Sequence, residues 1–160
     1  MVPMIRIAGP GDFAATSRIE EAADRLLVGS LKQASWPPAA TAEQRAGAPG
    51  FTLVAEVDGQ IIGFAQLLEV DGAAHLEQVS VLPEHGRRGV GRALVEAAVA
   101  EARRRGHRAM TLRTFAEVAF NAPFYATCGF AETRRRPPSN AAWWRRRNGS
   151  DSRVSVGGSR

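Results

Sequence analysis

A chain of 160 residues with 44% apolar content is long enough for one domain with a sizeable core, and it has no apolar run of about eighteen residues that would span a membrane. The formal charge is +5, from 21 basic and 16 acidic residues, but residues 134–160 hold eight arginines and one acid, leaving thirteen bases against fifteen acids in 1–133. That balance argues against nucleic-acid binding by the domain itself. Cys128 is the only cysteine, which excludes an intramolecular disulfide and a multi-cysteine metal centre; with no apolar segment at the start to read as a secretory signal, a reducing cytoplasm is the expected setting.

In chain order, Ile5-Arg6-Ile7 alternates like a short strand and ends at Gly9-Pro10-Gly11. Asp12 is expected to cap a helix, and Ile19, Ala22, Ala23, Leu26 and Leu27 then recur at helical spacing. A second short helix is expected over 28–33, and the proline- and glycine-containing stretch 36–50 reads as a surface loop. Residues 51–57, Gln60–Val70 and 74–81 read as three strands of an antiparallel meander, joined by Asp58-Gly59 and Asp71-Gly72 turns. The stretch 89–105 is a helix with Val90, Leu94, Ala97, Ala98 and Ala102 on one side, closed by Gly106. Ala109–Thr114 follows as a strand; a crossover through a helix makes it parallel to 74–81. A short helix over 121–128 and a strand from Phe130–Thr133 complete the order β-α-α-β-β-β-α-β-α-β.

The segment Pro83-Glu84-His85-Gly86-Arg87-Arg88-Gly89-Val90-Gly91-Arg92-Ala93-Leu94 carries the most chemistry. Glycine lets a ligand approach the backbone, the first amides of a helix lack internal partners, and three arginines add positive charge, which together suit a phosphate or pyrophosphate. A P-loop is excluded because Lys32, the only lysine, lies elsewhere. A dinucleotide fingerprint fits poorly, since the glycines run G-x-x-G-x-G after three antiparallel strands.

This segment, preceded by Leu76-Glu77-Gln78-Val79-Ser80-Val81-Leu82, resembles the coenzyme A motif Q/R-x-x-G-x-G/A of GNAT superfamily N-acetyltransferases. Downstream, Asn121-Ala122-Pro123-Phe124-Tyr125-Ala126-Thr127-Cys128-Gly129-Phe130 resembles the family's second signature, N-x-x-x-Y-x-x-x-G-F. Gly86 stands where the family usually has Gln or Arg; Arg87 and Arg88 are neighbours that can cover the lost contact.

The resemblance implies an α/β GNAT acyl-CoA N-acyltransferase fold, with a mixed, mostly antiparallel sheet flanked by helices. It implies transfer of an acetyl group from acetyl-CoA to a primary amine by direct attack in a ternary complex, with no metal. Val79, Ser80 and Val81 would hold the pantetheine arm through main-chain groups, and a backbone N–H near Val79 would meet the oxyanion. The amides of Arg87, Arg88, Gly89, Val90, Gly91, Arg92 and Ala93 would cradle the pyrophosphate, and Asn121 would contact the coenzyme. Tyr125 would protonate the departing thiolate and Glu77 would act as general base; each is also compatible with a core or solvated residue. Glu69 and His75 are weaker base candidates. His85 and His107 read as surface residues and Cys128 as a small buried hydrophobe. The acceptor is expected to be a small-molecule or peptide amine. Dimers are common in that family, which keeps a homodimer open.

Residues 1–133 thus form the expected N-acetyltransferase domain and 134–160 an atypical arginine-rich tail, in which only 153–156 could complete a last strand. An out-of-frame stretch of a GC-rich gene, a basic tail and an ordered hairpin all remain readings of it. Two other functions stay open at this level: an acyl-CoA-binding sensor without turnover, and binding of a nucleic acid or an acidic surface by the tail.

Overall fold

The computed structural model of the chain describes residues 2–31, 39–114, 122–133 and 153–158. Its strands are β1 Met4–Ile7, β2 Gly50–Val57, β3 Gln60–Val70, β4 Ala73–Val81, β5 Ala109–Thr114, β6 Phe130–Thr133 and β7 Arg153–Gly158. They form one sheet in the order β1-β2-β3-β4-β5-β7-β6. Only β4 and β5 pair in parallel; all other neighbours are antiparallel. The helices are α1 Phe13–Leu31, α2 Ala42–Ala46, α3 Val90–Arg104 and α4 Ala122–Thr127. No described helix is long and apolar enough to cross a membrane.

Both Asp-Gly turns have the geometry their sequence demands, with φ of 51° and 77° at Asp58 and Gly59 and of 52° and 75° at Asp71 and Gly72. Two successive positive φ values match the right-handed twist of the flanking strands, which registers the β2–β3–β4 meander. Gly50, at φ 119°, opens β2 where a Cβ would run into the Leu67 carbonyl, so no other residue fits there.

The sheet is covered on both faces. The apolar stripe of α3, namely Val90, Leu94, Val95, Ala98 and Ala102, packs against Leu53, Ala65, Leu67, Leu76 and Leu112 of the strands. Leu94 is fully buried there, and a side chain of that size contributes roughly 1.5–3 kcal/mol by leaving water. On the opposite face α1 sets Ile19 against Val54 and Phe64.

Three local expectations are corrected. Helix α1 runs unbroken to Leu31, so the separate helix over 28–33 does not begin at 28; residues 32–38 lie outside the described ones. Asp12 does not cap forward into α1. Its carboxylate turns back, accepting from the Gly9 amide at 2.7 Å and from Arg6 at 2.6 Å, within a 3-10 turn that precedes the helix. The expected loop 36–50 contains α2, opened by a reciprocal cap. Gln44 N donates to Thr41 Oγ1 (3.1 Å) and Thr41 N to Gln44 Oε1 (3.0 Å), the T-x-x-Q arrangement that satisfies orphan amides.

Candidate functional site

The site begins with an interruption of the sheet. β4 and β5 pair over three positions only, Ala74 with Met110, His75 with Thr111 and Leu76 with Leu112. Beyond them β5 continues with β7 on its other side, matching Thr111 to Val156 and Thr114 to Arg153. Main-chain groups of β4 from Glu77 to Val81 therefore face a gap on the β5 side among the described residues. Val79, Ser80 and Val81 lie on this stretch. The Ser80 side chain is not directed to a ligand: its hydroxyl accepts from Gln78 Nε2 at 2.7 Å and is buried.

The gap leads to the turn before α3. Arg87 and Gly89 both adopt left-handed backbone, with φ of 59° and 81°, and no side chain caps the helix at Gly89. The first amides of α3 are thus left for an anion, which the helix dipole also favours. A Cβ at Gly89 would meet nothing within 4 Å, so the space before the turn is open. At Gly91 a Cβ would lie 3.6 Å from the Phe124 ring, an ordinary contact. The protein alone therefore does not require glycine at 91, whereas a bound pyrophosphate close to that backbone would. This is the fit that a coenzyme A pyrophosphate needs.

Arg87 and Arg88 are exposed at the turn, but the Arg92 side chain is engaged elsewhere. Its guanidinium donates to the Thr127 carbonyl at 3.1 Å and to Thr127 Oγ1 at 2.7 Å, tying α3 to α4. Helix α4 carries Tyr125, half-buried and edge-on to Phe124 and Phe130 at centroid distances of 5.1 and 6.0 Å. Burial, with Cys128 adding to it, pushes the phenol above its ordinary value, so it stays protonated at neutral pH. Asn121 lies outside the described residues.

On the other face of β4, Glu77 sits at a β-bulge, because Gln66 pairs with Gln78 while Leu67 pairs with Leu76. The bulge leaves the Glu77 side chain only 1% exposed, and neither carboxylate oxygen has a hydrogen-bond partner among the described residues. Burial pushes its pKa up to about 8, partly opposed by the positive charge of Arg45. His75 Nε2 is 3.6 Å from Glu77 Oε2.

Sequence reasoning missed the group that surrounds this carboxylate. Arg45 of α2 is fully buried and donates to Glu20 Oε2 (2.5 Å), Thr16 Oγ1 (2.9 Å) and Gln66 Oε1 (3.0 Å), with its guanidinium 4.5 Å from the Phe64 ring. One signal was present: Thr16 and Glu20 lie on the same helical stripe as Ile19 and Ala23, and an acid on a buried stripe demands a cation. One other expectation is corrected. His107 is not a free surface residue, since its Nε2 meets Glu69 at 2.7 Å while Arg105 holds the other Glu69 oxygen at 2.7 Å. Those partners hold the Glu69 carboxyl below its usual range. His75 is buried and bound to Thr111.

The acetyltransferase (GNAT) family model matches residues 19–130, more than half of the chain. Solved structures share the fold along almost the whole chain. The ribosomal-protein-S18-alanine N-acetyltransferase from Escherichia coli is 24% identical with a TM-score of 0.72, covering 98% of this chain and 93% of that one. The PaiA N-acetyltransferase from Thermoplasma acidophilum, in complex with coenzyme A, is 15% identical with a TM-score of 0.78 and coverages of 99% and 100%. The N-acetylglutamate synthase from Neisseria gonorrhoeae, complexed with coenzyme A and N-acetyl-glutamate, is 20% identical with a TM-score of 0.73, over 99% of this chain and 35% of that chain. With the signature glycine turn, the interrupted β4–β5 pairing and the family model in agreement, the chain belongs to the acetyltransferase (GNAT) family.

Proposed function

We propose that this protein transfers an acetyl group from acetyl-CoA to a primary amine of a small molecule or peptide, by direct attack within a ternary complex. The observation that carries the reading is the buried Glu77 carboxylate, whose oxygens have no hydrogen-bond partner among the described residues and which lies where β4 parts from β5. Coenzyme A in two structures of the same fold supports the donor. The thioester supplies an activated acyl carbon and a thiolate leaving group; the rest falls to the protein.

In this reading the amides of residues 87–93 hold the pyrophosphate, the main chain of Val79 to Val81 aligns the pantetheine arm, and Asn121 is a further coenzyme contact. The acceptor arrives as an ammonium ion and must lose a proton before its nitrogen can attack. A carboxylate with a pKa near 8 is well matched to take it. As the carbon–sulfur bond breaks, Tyr125 gives its proton to the thiolate. The nitrogen sheds two protons per turnover: one restores Tyr125, the other leaves to solvent.

The test is release of coenzyme A thiol from acetyl-CoA over a panel of primary amines. The expected result is amine-dependent release that Glu77→Gln lowers roughly 10²–10⁴-fold in kcat, the scale of lost general-base catalysis, with acetyl-CoA affinity unchanged. Tight acetyl-CoA binding with no turnover of any amine would instead favour a sensor.

A further inference from the structure

Beside Glu77 lies a second ionisable group that the proposed reaction leaves unused. His75, two residues earlier on β4, has a side chain only 5% exposed. Its Nδ1 is 2.9 Å from Thr111 Oγ1 on β5, and its Nε2 is 3.6 Å from Glu77 Oε2. The Thr111 hydroxyl also lies 3.5 Å from the Ala74 carbonyl, toward which it can only donate. A hydroxyl that donates in that direction keeps its lone pairs for a ring N–H. The neutral imidazole then carries its proton on Nδ1 and presents an unprotonated Nε2 on the Glu77 side. Among the described residues, the charged groups that pack on this side include Arg45 of α2 with Glu20 and Asp24 of α1. Arg45 stays charged throughout the working pH range.

Resting on the reading of Glu77 as the base, we propose that His75 is a positioning residue that Thr111 fixes in the Nδ1–H tautomer, so that Nε2 receives the proton Glu77 takes from the acceptor ammonium. The ammonium N–H bond breaks and an O–H bond forms on Glu77. That O–H bond then breaks as an Nε2–H bond forms, leaving a carboxylate beside an imidazolium, and nothing is oxidised or reduced. Loss of the imidazolium proton to solvent after product leaves restores the pair. Of the two protons the nitrogen sheds, the relay carries the first away from Glu77, and the second restores Tyr125. At 3.6 Å the Glu77–His75 contact is an ion-pair distance, longer than a hydrogen bond; such contacts tighten when an active site is occupied.

The tautomer can be read without knowing the acceptor. The probe is the full chain labelled with ¹⁵N-histidine, alone and with coenzyme A, with ring nitrogen shifts followed across pH. His75 should show the Nδ1–H form, and Thr111→Val should erase that preference. Glu77→Gln removes the anion facing Nε2, so His75 should bind its proton about tenfold more weakly. In the thiol-release assay, Thr111→Val should lower kcat and move its pH profile while KM for acetyl-CoA stays fixed, which a merely structural role would not do. An Nε2–H tautomer in the native protein, or a His75 titration indifferent to Glu77→Gln, overturns the relay. Full activity of Glu77→Gln would overturn the base assignment instead, whatever the tautomer.

Discussion

The two faces of the sheet solve opposite problems. Under α3, the strands from β2 to β6 contribute apolar side chains to one cluster, and the helix that covers them begins at the glycine turn. Under α1 and α2 the same strands bury Gln66, His75 and the Glu77 carboxylate, and the helices answer with Thr16, Glu20 and Arg45. The first face stabilises the domain by removing apolar area from water. The second accepts the cost of desolvating charge and raises the pKa of a carboxylate beside the opening in the sheet. The comparison teaches that one strand, β4, serves both: its bulge at Glu77 lets Leu76 and Val79 face α3 while Glu77 turns the other way.

The largest effect is expected on the polar face. Arg45→Met removes the buried cation that pairs with Glu20, and unfolding by urea should show a loss of about 3–5 kcal/mol. Adding Glu20→Leu should recover most of that loss. A single change that costs less than about 1 kcal/mol would mean that the pair is not buried as described.

A second effect follows from Glu77. Its folded pKa of about 8 exceeds the ordinary 4.5, so between those values the folded state holds a proton that the unfolded state has released. By linkage its contribution is fully present below pH 4.5 and is lost as pH rises through 8. Urea unfolding at a series of pH values should show this decline in the native chain, and a shallower one in Glu77→Gln. Identical slopes in the two proteins would contradict the buried, protonated carboxylate.

The ease with which each face could be read from sequence divides in the same way. The β2–β3–β4 meander was legible because Asp58-Gly59 and Asp71-Gly72 specify their turns locally, and α3 because its apolar period runs unbroken from Val90 to Ala102. The glycine turn was legible for the same reason: Gly89 and Gly91 lie two positions apart. Arg45 and Glu20 are 25 residues apart and Arg45 and Gln66 are 21 apart, so their pairing exists only once α1, α2 and β3 are packed. Glu77 was singled out as a base, but the bulge that buries it depends on β3 register rather than on any local pattern. Strand β7 was only a weak candidate at 153–156, since Gly157 and Gly158 carry little strand signal; it is the pairing with β5 on one side and β6 on the other that defines it.

The smallest change in stability should come from Gly91→Ala, which makes that comparison sharpest. In a helix an alanine is favoured over glycine by up to about 1 kcal/mol, and its Cβ would make only an ordinary contact with Phe124. If the turn holds the pyrophosphate, the same methyl group must intrude on the ligand. The measurement that tests the account most directly is calorimetric titration of the native chain and of Gly91→Ala with acetyl-CoA, alongside their unfolding curves. The account predicts binding in the micromolar range that weakens at least about tenfold (roughly 1.4 kcal/mol) in a variant as stable as the native chain or more so. A folded native chain that binds no acetyl-CoA, or a Gly91→Ala variant that binds it equally well, would contradict it.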